Sequence, residues 1–155
     1  MFLCGVRSTP HKNIGDGFPP QRTSLERILA ELLCNACKFT PVGGEIIVEI
    51  CSKTLSTEAL NTLLFRVKNS GVEIPLNEYS RIFNRFYRIP KGDRWKHDGT
   101  GLGLTLVKKL TEHLGGVIQV KSEAGQTCFT VEIPVDSDRQ CVLVLGVLFS
   151  NHLIV

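Results

Sequence analysis

Glu31, Asn35 and Lys38 follow one another at steps of four and three, so on a helix they form a single line. Their types suit a nucleotide. The short neutral oxygen of Asn35 can ligate magnesium, which keeps several waters and takes only one or two protein ligands. Lys38 can neutralise phosphate charge as a point cation. Glu31 can orient a water or accept a proton near a terminal phosphate. Further along, Gly99-Thr-Gly-Leu-Gly-Leu104 precedes a second apolar-periodic segment. A glycine-rich turn that opens a helix presents unpaired main-chain N–H groups to phosphate oxygens, and the helix dipole assists. Each piece also has a plain structural reading. The three side chains fit a solvated helix face, and the glycines fit a bare turn. The run is not the Gly-x-Gly-x-x-Gly dinucleotide pattern, and no strand directly precedes it.

The elements that must position these residues are legible in outline. Leu25, Ile28, Leu29, Leu32, Leu33 and Ala36 repeat at three and four, which predicts an amphipathic helix. Ser24 is its expected N-cap, and Pro41 with Gly43-Gly44 is its expected end. Residues 45–53 read as a strand with Ile46, Val48 and Ile50 on one face, and Leu63, Phe65 and Val67 mark the next. The same alternation puts Asn69 on the apolar face, where its amide needs a partner that a ligand could supply. Residues 75–86 read as a short helix and 87–98 as a basic loop. Leu102, Leu106, Val107, Leu110 and Leu114 predict a second helix closed by Gly115-Gly116. Two strands follow, around Val117–Val120 and Phe129–Ile133, with Gln126 expected in the turn between them. Paired strands beside helices predict an α+β, two-layer α/β sandwich, with a mixed, mostly antiparallel sheet and helices on one face.

Bulk properties narrow the function classes. The chain has 155 residues, 43% of them hydrophobic, which suffices for one packed domain. A formal net charge of +3 is too small to argue for nucleic acid. Local charge says more: Arg81, Arg85, Arg88, Lys91, Arg94 and Lys96 make either a solvated basic loop or a cationic flap over phosphates. The six cysteines form no spaced framework, so free thiols in a reducing cytoplasm are expected. Cys34-x-x-Cys37 lacks a second pair for zinc, and both cysteines are expected as small buried helix residues. No apolar run reaches the length of a membrane span. Residues 1–20 read as an extended arm, 21–135 as the working domain, and 136–155 as an apolar tail of unassigned role.

The motifs occur in an order that resembles the catalytic, ATP-binding domain of two-component sensor histidine kinases, in the superfamily of gyrase, heat-shock-90 chaperones and MutL. Leu32–Pro41 is similar to the N box of that family and Asn69–Pro75 to its first glycine box. Arg81–Tyr87 is similar to its F box and Asp98–Leu104 to its second glycine box. The resemblance spans about residues 22–135. It implies a Bergerat-type fold, with ATP and Mg²⁺ held between the helices under a lid at about 85–100. It also implies roles: Asn35 for the metal, and Glu31, Asn35 and Lys38 for catalysis. Nucleotide contacts would come from Asn35, Lys38, Asn69, Gly71, Ile74, Gly99, Thr100, Gly101, Leu102, Gly103 and Leu104. Phe83 and Phe86 would anchor the lid base. The implied partners are a histidine-bearing dimerisation domain and a downstream response regulator.

Two departures qualify the resemblance. The first glycine box of the family usually begins with Asp, whose carboxylate reads the adenine amino group. Here Asn69 offers a neutral acceptor, and Glu73 replaces a later glycine. An amide can also present its NH₂, so Asn69 is expected to exclude guanine less strictly. In addition, His11, His97, His113 and His152 all lie outside a helical His-acidic acceptor context. The chain therefore reads as an ATP-binding half without its acceptor. An ATPase using Glu31, and a non-catalytic nucleotide-binding module, remain alternatives.

Overall fold

The computed structural model describes residues 20–54, 60–71, 73–90 and 99–136. Helix α1 spans Pro20–Phe39 and helix α2 spans Gly103–His113. The strands are β1 (Ile46–Thr54), β2 (Leu60–Ser70), β3 (Val117–Glu123) and β4 (Gln126–Asp136). They form one sheet in the order β1-β2-β4-β3. All three pairings are antiparallel, in keeping with the mostly antiparallel sheet expected from sequence.

One face of this sheet carries the core. Leu63, Phe65 and Val67 of β2 and Phe129, Val131, Ile133 and Val135 of β4 meet Leu25, Ile28, Leu29, Leu32 and Ala36 of α1, with Val107 of α2. Helix period meets strand period here: steps of three and four on α1 cover steps of two on the strands. Ile46, Val48 and Ile50 of β1 and Ile118 and Val120 of β3 flank the same layer. The result is the two-layer sandwich the pairing of strands implied.

Several boundaries differ from expectation, each for a local reason. Helix α1 begins at Pro20, because proline at a first helical position loses only an N–H that has no helical partner anyway. Ser24 thus lies inside the helix. Its far end closes at Phe39, and both the N–H and the hydroxyl of Thr40 turn back to the Ala36 carbonyl, at 3.0 and 2.6 Å. Residues 75–86 form two single-turn 3₁₀ helices, Leu76–Glu78 and Arg81–Phe83, in place of one short helix. Tethers to other elements hold that segment in separate turns: the Tyr79 hydroxyl donates to the Ser122 carbonyl at 3.1 Å, and Thr105 of α2 donates to the Phe83 carbonyl at 3.0 Å. The β3–β4 turn is Ala124-Gly125, both left-handed at φ 51° and 74°, as a two-residue hairpin of this twist requires. Gln126 is therefore the first residue of β4. The arm at 1–19, most of the basic loop (91–98) and the tail beyond Asp136 lie outside the described residues.

Cys34 and Cys37 are exposed and outside any disulfide, contrary to the burial expected of them. At 100° per residue they point away from the stripe that Leu32 and Ala36 bury.

Candidate functional site

The line Glu31–Asn35–Lys38 runs along the flank of α1 beside its apolar stripe, and all three side chains are half-buried. The glycine-rich turn lies directly against it. A Cβ at Gly99 would collide with the ammonium of Lys38, and one at Gly103 would stand 2.9 Å from a carboxylate oxygen of Glu31. Gly101 has φ +71°, and a Cβ there would meet the main chain of Phe86 at 2.9 Å. Each glycine thus has a protein neighbour that occupies the missing side chain's space, in addition to any phosphate that approaches. The α2 helix starts with Leu102 as its N-cap residue and no side-chain cap. Its first-turn N–H groups are consequently available to an anion. The Glu31 carboxylate also pairs with Arg27, one turn back, at 2.6 Å.

The F-box segment is fastened to this turn. The Phe86 N–H donates to the Gly101 carbonyl at 3.1 Å, and Phe83 packs on the core. Phe86 departs from the anchoring role expected of it. The residue is 72% exposed and its backbone sits at φ 61°, so among the described residues its main chain is what ties it to the turn. Glu78, buried at 7% exposure, accepts from the Tyr87 hydroxyl and pairs with Arg81 at 3.3 Å. The hydrogen bond to that carboxylate raises the Tyr87 phenol above its ordinary pKa, because it favours the protonated form. The sequence reading overlooked Glu78. Its place one turn before the F box is visible, but its burial is a tertiary fact.

At the C-terminal end of α1 lies the first glycine box. Gly71 has φ +135°, and a Cβ there would stand 2.6 Å from the Phe39 carbonyl oxygen. Only glycine fits where β2 leaves the sheet this close to the helix end. Asn69 is buried at 6% exposure on the core face of β2, as the alternation required, and its amide NH₂ donates to the Ser70 carbonyl at 3.3 Å. Directly opposite in the β2–β4 register is Thr127, buried at 3%. Two buried polar side chains thus stand side by side on the core face of the sheet, and Thr127 Oγ1 lies 2.7 Å from Ser122 Oγ. Thr127 was missed because the turn was expected one residue late, which hid its parity with Phe129. Ile74 is half-buried against the core, and its N–H donates to Ser122 Oγ at 2.9 Å. Thr100 is exposed, Leu102 is 39% exposed, and Leu104 packs on the core cluster.

Asn35 shares the flank of α1 with Glu31 and Lys38, and its lone amide oxygen is the donor a phosphate-shared magnesium ion would need. No group of three or more His, Cys, Asp or Glu side chains among the described residues could cage a metal. A single protein oxygen would suit an ion that keeps mostly phosphate and water ligands.

An open antiparallel sheet with both helices on one face, and a glycine-rich turn set against a Glu-Asn-Lys line, define a nucleotide-binding class of α/β sandwich. The chain matches the family model for histidine kinase-, DNA gyrase B- and HSP90-like ATPases over residues 21–137 and belongs to that family. It is 37% identical to the circadian input-output histidine kinase CikA of Synechococcus elongatus over 120 residues, which are 77% of this chain and 15% of that protein. It is 33% identical to the sensor protein kinase WalK of Staphylococcus aureus over 130 residues, 83% of this chain and 30% of that protein. The chain therefore spans less than a third of either relative. Among solved structures it is similar to the catalytic domain of histidine kinase ThkA, with TM-score 0.57 and 30% identity over 72% of this chain and 67% of that one. It is also similar to full-length ShkA in complex with AMPPNP, with TM-score 0.54 and 29% identity over 71% of this chain and 21% of that one. No helix among the described residues is long and apolar enough to cross a membrane.

Proposed function

We propose that the chain binds ATP·Mg²⁺ and transfers the γ-phosphoryl group to a histidine on a separate dimerisation domain. A response regulator would take the phosphoryl group onward, on the cytoplasmic side where ATP is found. The observation that carries this reading is the fit of Lys38 and Glu31 against Gly99 and Gly103, which brings cation, carboxylate and uncapped helix N-terminus to one place. Asn69, with Gly71 and Ile74 beside it, would take the purine, and the turn from Gly99 to Leu104 would take the phosphates. Asn35 would hold the magnesium, which supplies charge neutralisation at the β- and γ-phosphates. Lys38 would add a positive charge beside the turn, and the α2 N–H groups would bind phosphate oxygens without reorganising. Catalysis in such a site is positioning and charge stabilisation, with little covalent work for protein groups.

The test is to mix the chain with ATP, magnesium and a separately produced dimerisation domain and to measure acid-labile phosphate on the latter. Asn35→Ala is expected to lower the transfer rate about a hundredfold or more, the scale of losing an electrostatic group at a transferring phosphate. Undiminished transfer in that variant removes Asn35 from the site. A second reading, hydrolysis of ATP, is favoured by the Glu31 carboxylate beside Gly103. Phosphate release without any acceptor, abolished in Glu31→Ala, would establish it. Failure to bind a non-hydrolysable ATP analogue in calorimetry would leave only a non-nucleotide role.

A further inference from the structure

The loop after β2 is tied to the β3–β4 hairpin in a way that the departure at position 73 explains. The Gly71 N–H donates to the Gly125 carbonyl at 2.9 Å, which continues the β2–β4 ladder one step past its last register pair, Ser70 with Gln126. In a continued antiparallel ladder the return bond would run from the Gly125 N–H to the Gly71 carbonyl. At φ +135° Gly71 swings the strand out of the sheet. The Gly125 N–H goes instead to the side-chain carboxylate of Glu73. Just beyond, the Ile74 N–H is held by Ser122 at 2.9 Å. The loop is thus gripped at three successive points by one hairpin, and a glycine at position 73 could not make the middle contact.

We propose that Glu73 is a positioning residue for the purine: its carboxylate replaces a missing main-chain acceptor and holds the loop beside Asn69 in its binding shape before ligand arrives. This inference rests on the nucleotide reading above. Without the clamp, the loop must be ordered at the moment of binding, and affinity falls by that cost.

The experiment measures AMPPNP and inorganic triphosphate binding by calorimetry, and exchange of the Gly125 amide by NMR, in the wild-type chain, Glu73→Ala and Glu73→Gln. Glu73→Ala is expected to weaken AMPPNP about three- to tenfold, the scale of one solvent-exposed charge-assisted hydrogen bond, while triphosphate binding stays unchanged. Glu73→Gln, whose amide oxygen still accepts from Gly125, should recover most of the AMPPNP affinity. The Gly125 amide should exchange faster in Glu73→Ala only. Equal AMPPNP affinity in wild type and Glu73→Ala overturns the proposal, and so does an equal loss for triphosphate, which would mark a general structural fault. If the wild type binds no analogue while Glu73 still protects the Gly125 amide, the nucleotide reading falls and the clamp is only a structural brace.

Discussion

Two glycine-bearing segments flank α1, and they are held by different forces. Gly71, Glu73 and Ile74 are tied to the β3–β4 hairpin by main-chain and side-chain hydrogen bonds. The turn at 99–103 takes one main-chain bond, from the Phe86 N–H to the Gly101 carbonyl, and otherwise has its place through what its glycines leave room for: the Lys38 ammonium, the Phe86 main chain and the Glu31 carboxylate. At Gly71 and Gly101 the neighbour is backbone, which cannot yield. At Gly99 and Gly103 it is the end of a flexible side chain, which can. If the proposed assignment holds, the purine would meet a loop already tied to the sheet, whereas the phosphates would meet, at Gly99 and Gly103, charged side-chain tips that can shift when ligand charge arrives.

The sharpest way to break this contrast is substitution of the two backbone-contacting glycines. Gly71→Ala combines φ +135° with a 2.6 Å approach to the Phe39 carbonyl. It is expected to lower unfolding free energy by about 3 kcal/mol, as a forbidden φ and a rigid clash together do. Gly101→Ala, at φ +71° and 2.9 Å, should cost about 2 kcal/mol. Urea unfolding of both reads the difference, and a cost below about 1 kcal/mol at Gly71 would mean that α1 moves freely relative to β2.

A smaller effect on stability, with a larger one on binding, is expected for Gly99→Ala. Its neighbour is a lysine tip, so unfolding free energy should change by no more than about 0.5 kcal/mol. Displacing Lys38 should nonetheless weaken inorganic triphosphate and AMPPNP together, by several-fold in calorimetry. If AMPPNP alone weakened, Lys38 would belong to the purine end.

The smallest effect concerns the F box, which links the two ends. The Tyr87 phenol is raised above 10.0 by its bond to Glu78. A group whose folded pKa is raised contributes its full stability below the unfolded value and loses it as pH climbs through the folded one. Thermal melts from pH 8 to 11 should therefore show wild type falling more steeply above pH 10 than Tyr87→Phe. Parallel curves would show that the Glu78–Tyr87 bond does not persist in solution.

Most of the fold was legible because it rests on periodicity. Steps of three and four marked α1 and α2, steps of two marked the strands, and both follow from backbone geometry that a single chain carries by itself. Asn69 was correctly put on the core face by parity alone. The errors cluster where neighbours decide. The split of residues 75–86 into two 3₁₀ turns depends on tethers from β3 and α2, and the exposure of Phe86 depends on a left-handed backbone that its residue type disfavours.

The amino-acid order by itself determined that a Glu-Asn-Lys line, a glycine-rich turn and a buried amide exist, since each is a matter of residue type and local spacing. That Lys38 meets Gly99, that Glu31 meets Gly103, that Thr127 stands opposite Asn69 and that Glu73 completes a ladder left open by Gly71 were decided only by the tertiary structure. These are contacts between residues far apart in the chain. Their geometry comes from how α1 seats on the sheet and where each strand leaves it, and no local pattern carries that information.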